Sequence, residues 1–160
     1  MTSKTYNGKF GGLDGADKIC QTLATTVNLW HGNKHKAWIS DKVSSAAGRL
    51  EHSTLPYVSY HGNPIANDWN ELVNGALHNP IHFDEYGHLT EDKVWTNTLE
   101  TGIAGENDCD GWTSNDKNNL GTYGLSTAVD GSWTDGGEFS CAGSGTKKVP
   151  QFLRLYCVEQ

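Results

Sequence analysis

Leu13-Asp14-Gly15-Ala16-Asp17-Lys18-Ile19-Cys20-Gln21-Thr22-Leu23-Ala24 reads as a helix that carries a cysteine on its apolar face. Ala16, Ile19, Cys20 and Leu23 recur at the three- and four-residue intervals that fall on one side of a helix. Asp14 is the expected N-cap, and Asp17 stands three residues on, in the capping-box position. A half-buried cysteine on an opening helix needs a distant partner, so the reading moves outward to the rest of the chain.

Ala37-Trp38-Ile39-Ser40 reads as a short buried strand, and Asp41 to Leu50 as a short helix weakened by Gly48. Leu55 to Tyr60 alternates, with Val58 and Tyr60 on one side and Tyr57 and Ser59 on the other. It ends at a turn cluster, His61-Gly62-Asn63-Pro64. Asn67 to Asn74 is expected to be a second helix capped by Asn67. Its apolar stripe is Trp69, Leu72 and Val73, and Gly75 sits at the C′ position. Ile81-His82-Phe83 reads as a short strand entering an Asp84-Glu85-Tyr86-Gly87 turn, and Val94-Trp95-Thr96 as another. Gly102 to Gly145 is dense in Gly, Asn, Asp, Ser and Thr, and is expected to be a long ordered loop region of the kind that carries function. The chain closes on Phe152 to Val158, a strand with residues 153, 155 and 157 on one face. No internal repeat or linker divides residues 1–160, so one α+β domain is expected, with short strands, two helices and a long loop region.

The four cysteines allow three pairings. Cys20–Cys157 with Cys109–Cys141 fits this layout best, since one bond ties the ends of the domain and the other pins the loop region. A four-cysteine zinc site would need a closely spaced pair, and none is present. Even cysteine usage implies an oxidising compartment; four free thiols in a cytosolic chain is the alternative. No segment approaches a membrane span, and residues 1–5 have no apolar signal region. The chain is therefore expected to be a domain excised from a larger surface or fibre protein, exported by a signal outside these 160 residues.

Formal net charge is −7, with 12 Lys and Arg and no dense basic run; Lys34–Lys36 and Lys147–Lys148 come nearest. Such a surface repels polyanions at long range, so nucleic acid is not an expected partner. Nineteen glycines argue for turns and loops over a helical bundle.

Several of these segments, in order, resemble endostatin, the C-terminal domain of certain collagens with a C-type-lectin-like fold. They are Gly12 to Gln21, Lys36 to Asp41, Pro56 to Tyr60, Trp69 to Gly75, Phe83-Asp84, Val94-Trp95, Cys109 to Ser114 and Leu155 to Glu159. Asn7 to Asp17 also resembles the opening of bacterial surface lectin-like domains of adhesin type. The resemblance spans about residues 8–159. It implies the same nested disulfides, an extracellular recognition role, and the setting of a trimerising upstream stalk. Two endostatin properties do not carry over. Its heparan sulfate site uses clustered arginines, whereas only Arg49 and Arg154 are present here. Its zinc uses N-terminal histidines, and residues 1–10 contain none.

Two candidate sites follow. Glu106, Asn107, Asp108, Asp110, Asn115 and Asp116 crowd oxygen ligands into residues 106–116. Calcium, which takes about six to eight oxygens, suits such a set; a polar loop held by Asx turns is the plainer alternative. Trp112, Trp133 and Tyr123, with Asp130 and Asp135 nearby, offer aromatic faces and hydroxyl acceptors for a sugar; the alternative is that both tryptophans plug the core. Trp38, Trp69 and Trp95 are expected in the core. His78, His82 and His88 near Asp84 are expected to be solvated loop histidines. No catalytic or phosphate-binding motif is visible. The expected function is non-enzymatic recognition of a cell-surface glycan or protein. A structural fibre cap and a polysaccharide hydrolase are the alternatives.

Overall fold

The computed structural model describes residues 1–29, 32–146 and 149–160. Trp30, His31 and the Lys147–Lys148 pair lie outside the described residues. The domain is mixed α and β, with one long helix and several small sheets. Helix α1 spans Gly12–Thr26. Its N-cap is Gly11 at φ 94°, with no side-chain cap, so Asp14 sits inside the first turn and is not the cap. Asp17 has a different task from capping. Its Oδ1 accepts the Ala37 N–H at 2.9 Å and its Oδ2 takes the Arg49 guanidinium at 2.5 Å.

Strand β1 is His35–Ala37, helix α2 is Ala46–Arg49, and strands β2 (Tyr57–Val58) and β3 (Pro64–Ala66) form a small hairpin. The second predicted helix contracts to α3, Trp69–Leu72. Its cap is Asp68, which accepts from the Glu71 N–H, and not Asn67. Strand β4 is Lys93–Trp95. Residues 81–83 form no strand beyond a single bridge between Phe83 and Leu89.

The largest correction concerns residues 102–145. This stretch contributes strands β5 (Leu120–Leu125) and β6 (Gly137–Ser140) to the main sheet. That sheet runs β6-β5-β4-β9, where β9 is Arg154–Leu155, parallel to β4. Glycines at 121, 124 and 137 lower strand propensity but admit close neighbours. A Cβ at Gly124, for instance, would overlap the carbonyl of Trp133. Strands β7 (Ser144–Thr146) and β8 (Val149–Gln151) pair beyond it, and β10 (Cys157–Glu159) pairs antiparallel with β1.

Two buried clusters flank the extended segments. Trp38, Val94, Trp133 and Tyr156 belong to one; Ala37, Ile39, Trp95, Trp112 and Leu155 belong to the other. Residues that alternate along one extended segment thus point to opposite sides. Leu153, Leu155 and Cys157 pack with the second cluster, as the alternation predicts, although β9 and β10 pair in different sheets. Among the described residues five tryptophans are buried. At about 25 cal/mol per Å², an indole removes surface equivalent to about 4–6 kcal/mol from water.

Both disulfides are those expected: Cys20–Cys157, 137 residues apart, and Cys109–Cys141, 32 apart. By the chain-entropy model they restrict the unfolded chain by about 5 and about 4 kcal/mol respectively. Two such bonds are the mark of a chain folded in an oxidising environment. Among the described residues no helix is long and apolar enough to cross a membrane.

Candidate functional site

Between the two clusters runs a buried chain of hydroxyls. Trp38 Nε1–H donates to Thr134 Oγ1 at 2.8 Å, and Thr134 Oγ1 donates to the Thr98 carbonyl at 2.8 Å. Thr98 Oγ1 donates to the Thr96 carbonyl, so its contact with Ser40 Oγ at 2.8 Å has Ser40 as donor. Buried hydroxyls satisfied this completely fix their backbone segments tightly. The chain ends at Asn97, held at φ 41°, whose Oδ1 accepts the Asn107 N–H at 3.0 Å. Through this bond the core dictates where residues 106–110 lie.

Those residues form one wall of an open, polar concavity of about 500 Å³. Glu106, Asn107, Asp108 and Asp110 line it, and Asn118, Asn119, Leu120 and Lys42 face them. Asp108 is only 4% exposed. Its Oδ2 accepts the Lys42 N–H at 3.0 Å, and its Oδ1 lies 4.0 Å from the Lys42 ammonium. Asn107 donates from Nδ2 to Glu138 at 2.7 Å. Asn118 donates to Asp116 at 3.0 Å and Asn119 to Ser114 at 2.9 Å. Each of these amides thus spends one N–H on a neighbouring side chain. The amide carbonyl oxygens, the Glu106 and Asp110 carboxylates and the second N–H of each amide are left for a ligand, beside the Lys42 ammonium.

The segment that carries Asp110 into this wall is wound the unusual way. Cys109, Asp110, Gly111 and Trp112 have φ of 51°, 57°, 62° and 61°, a full left-handed turn closed by Trp112 N–H to the Asp108 carbonyl at 2.6 Å. L-residues resist this by about 1–2 kcal/mol each. The disulfide at Cys109 and the buried indole of Trp112, whose Nε1–H donates to the Ser40 carbonyl at 2.8 Å, hold it in place.

Four of the six residues expected to bind calcium line this one concavity; Asn115 and Asp116 are not in its lining, and Asp116 instead holds Asn118. Among the described residues no group of three or more His, Cys, Asp or Glu side chains is placed to hold a metal ion.

The expected aromatic platform is overturned. Trp112 is 0% exposed and Trp133 1%, and they sit in different core clusters, so neither offers a face to a sugar. Tyr123 is half-buried beneath the Lys93 ammonium, 4.2 Å from its ring centre. Asp130 caps the short turn Gly131–Trp133; the hydroxyl and then the N–H of Ser132 bond to its carboxyl and hold it below the usual carboxylate range. Asp135 is exposed beyond that turn.

Lys42, Asn118 and Asn119 were not picked out by sequence. Lys42 reaches the site only through a contact 66 residues away. Both arginines are structural: Arg49 with Asp17, and Arg154 with Asp92 at 2.7 Å. His78 is partnered by Glu71 at 2.9 Å, and His88 stands 3.5 Å from Asp84, so the three histidines do not converge.

No family model matches the sequence, and no curated protein matches it. The structure defines a disulfide-stapled α+β domain with a polar, carboxylate-bearing concavity beside the Cys109–Cys141 crosslink.

Proposed function

We propose that this chain is an extracellular recognition domain of the endostatin-like, C-type-lectin-like kind. In this reading it is carried on a larger surface or fibre protein and binds a glycan without chemically altering it. The ordered motifs from Gly12 to Glu159 and the nested disulfides support the fold assignment. The polar concavity carries the functional reading. Its acceptor oxygens come from Glu106, Asp110, Asn118 and Asn119, on a backbone that the core and a disulfide hold rigid. Sugar hydroxyls are donors arranged in vicinal pairs, and fixed acceptors are what select them. In this reading the side chains hold the sugar hydroxyls directly, and the calcium arm of the test below decides whether an ion bridges them.

The experiment is a glycan array probed with the intact domain, in calcium and in chelator. Saturable binding insensitive to chelator, and lost in Asp110→Asn/Asn118→Ala with an unchanged melting temperature, supports the reading. An array with no bound glycan, or binding untouched by that double substitution, removes it.

A further inference from the structure

A second surface lies on the other long stretch between strands. The β2–β3 hairpin tip packs against the turn at Gly87. A Cβ at Gly87 would lie 2.7 Å from Tyr60 Cε1, so the tyrosine ring rests directly on that backbone. His61 Nε2 is 2.9 Å from the Gly87 carbonyl, and its ring stands edge-on to Phe83 at 4.6 Å. With Nε2–H donating to that carbonyl, Nδ1 is left as an acceptor. On the other flank, the Tyr86 ring stacks with His88 at 6.0 Å.

The tyrosines are nonetheless open, Tyr60 at 52% and Tyr86 at 50% exposure. They are held by backbone and by neighbouring rings, so little side-chain entropy is lost when a ligand covers them.

Charge identifies the ligand. Residues 55–63 and 82–90 contain two charged side chains, Asp84 and Glu85, and both are buried, at 6% and 7% exposure. Asp84 accepts the N–H groups of Tyr86 and His88, and Glu85 accepts that of Ser3. The surface of these two segments therefore exposes no lysine, arginine or carboxylate, on a chain whose net charge is −7. Such a patch offers no guanidinium or ammonium to a polyanion, which the rest of the chain repels, and no exposed carboxylate to a cation. It offers flat apolar rings edged by phenol and imidazole hydrogen-bonding groups.

We infer that Tyr60 and Tyr86, with His61 and His88 at their edges, form a second binding site that takes an uncharged saccharide by stacking its C–H face. The site does not depend on the concavity reading. A glycan array carrying neutral and acidic glycans is probed with the wild-type domain, with Tyr60→Ala/Tyr86→Ala and with Asp110→Asn/Asn118→Ala. The leading neutral glycan is then titrated by calorimetry against all three. The expected result is neutral-glycan binding weakened at least about 10-fold in the tyrosine variant, one tenfold step being about 1.4 kcal/mol. The melting temperature should hold, and the concavity variant should still bind that glycan. Failure of the wild type to bind any neutral glycan overturns the inference, as does neutral-glycan affinity unchanged in the tyrosine variant.

Discussion

Gly8 and Cys109 share one site: a Cβ on Gly8 would sit on the Cys109 sulfur, 2.8 Å from Cys109 Cβ and 2.9 Å from Cys141 Cβ. Gly8 is not in the left-handed backbone region, so the need is for space and not for conformation. Gly121 closes the other side, where an added Cβ would come within 2.8 Å of the same sulfur and of the Trp95 ring. The crosslink thus runs through a slot cut by two glycines. Gly8→Ala is expected to oppose formation of Cys109–Cys141 and to lower stability by about 2–5 kcal/mol, comparable to losing the bond. Thiol counting by mass spectrometry on the refolded protein checks this. A fully oxidised Gly8→Ala variant with wild-type stability would contradict it.

Much of this was readable from sequence, and the reasons are local. Ala16, Cys20 and Leu23 announce the buried face of α1 by their spacing, and Trp38, Trp69 and Trp95 are apolar residues within apolar segments. The strands β5 and β6 were not readable. Leu120–Leu125 is LGTYGL, whose glycines are chosen by what they must let approach, the Cys109 sulfur and the Trp133 carbonyl. Propensity reads such residues as loop. The same blindness made Trp112 and Trp133 look like surface aromatics. Each is flanked in sequence by glycine or hydroxyl residues, which read as loop, yet the indole enters the core, and at Trp133 the neighbouring Thr134 is buried with it.

Trp38 and Trp133 allow the tryptophan assignment to be tested quantitatively. Their rings meet at 5.0 Å, and both are 1% exposed. Trp38 Nε1–H is bonded to Thr134; among the described residues Trp133 Nε1 is the buried side-chain atom without a partner. Substitution by Phe removes similar volume at each site. Trp38→Phe also strands part of the Thr134 hydroxyl, whereas Trp133→Phe removes an unsatisfied donor. Trp38→Phe is expected to be the more destabilising by about 1 kcal/mol. Denaturant unfolding of the two variants decides it, and equal losses would refute the distinction.

Glu71 gives the pH prediction. The N–H of Asn67 and the imidazole of His78 both bond to its carboxylate and hold its pKa below the ordinary carboxylate value. A carboxylate depressed in the folded state adds stability above its unfolded pKa, and that stability disappears as pH falls through the folded value. Glu71→Gln should therefore lower stability at neutral pH and flatten the acid limb, so that the variant and the wild type converge as pH falls through the folded Glu71 value. Carboxyl carbon shifts followed by NMR should place the Glu71 midpoint below those of exposed glutamates. A midpoint at the ordinary value would remove the basis of the prediction.

Asp110 stands in the left-handed turn with φ 57° and ψ 58°, between Cys109 and Gly111, with its side chain exposed beside the concavity. Glycine enters this region without the Cβ penalty, so if only folding mattered the position would favour it. Asp110→Gly is expected to leave stability unchanged or raise it by up to about 1 kcal/mol, since the relief of strain is partly offset by the freer unfolded chain. Asp110→Ala keeps the strain and loses the carboxylate, so it should be the less stable of the two. Both remove the same acceptor from the concavity, and both should weaken glycan binding equally. Melting curves that rank Ala below Gly, together with matched losses on the array, would separate the strain carried by the backbone from the chemistry carried by the side chain. The opposite ranking would mean that the backbone at residue 110 carries no left-handed strain for glycine to relieve.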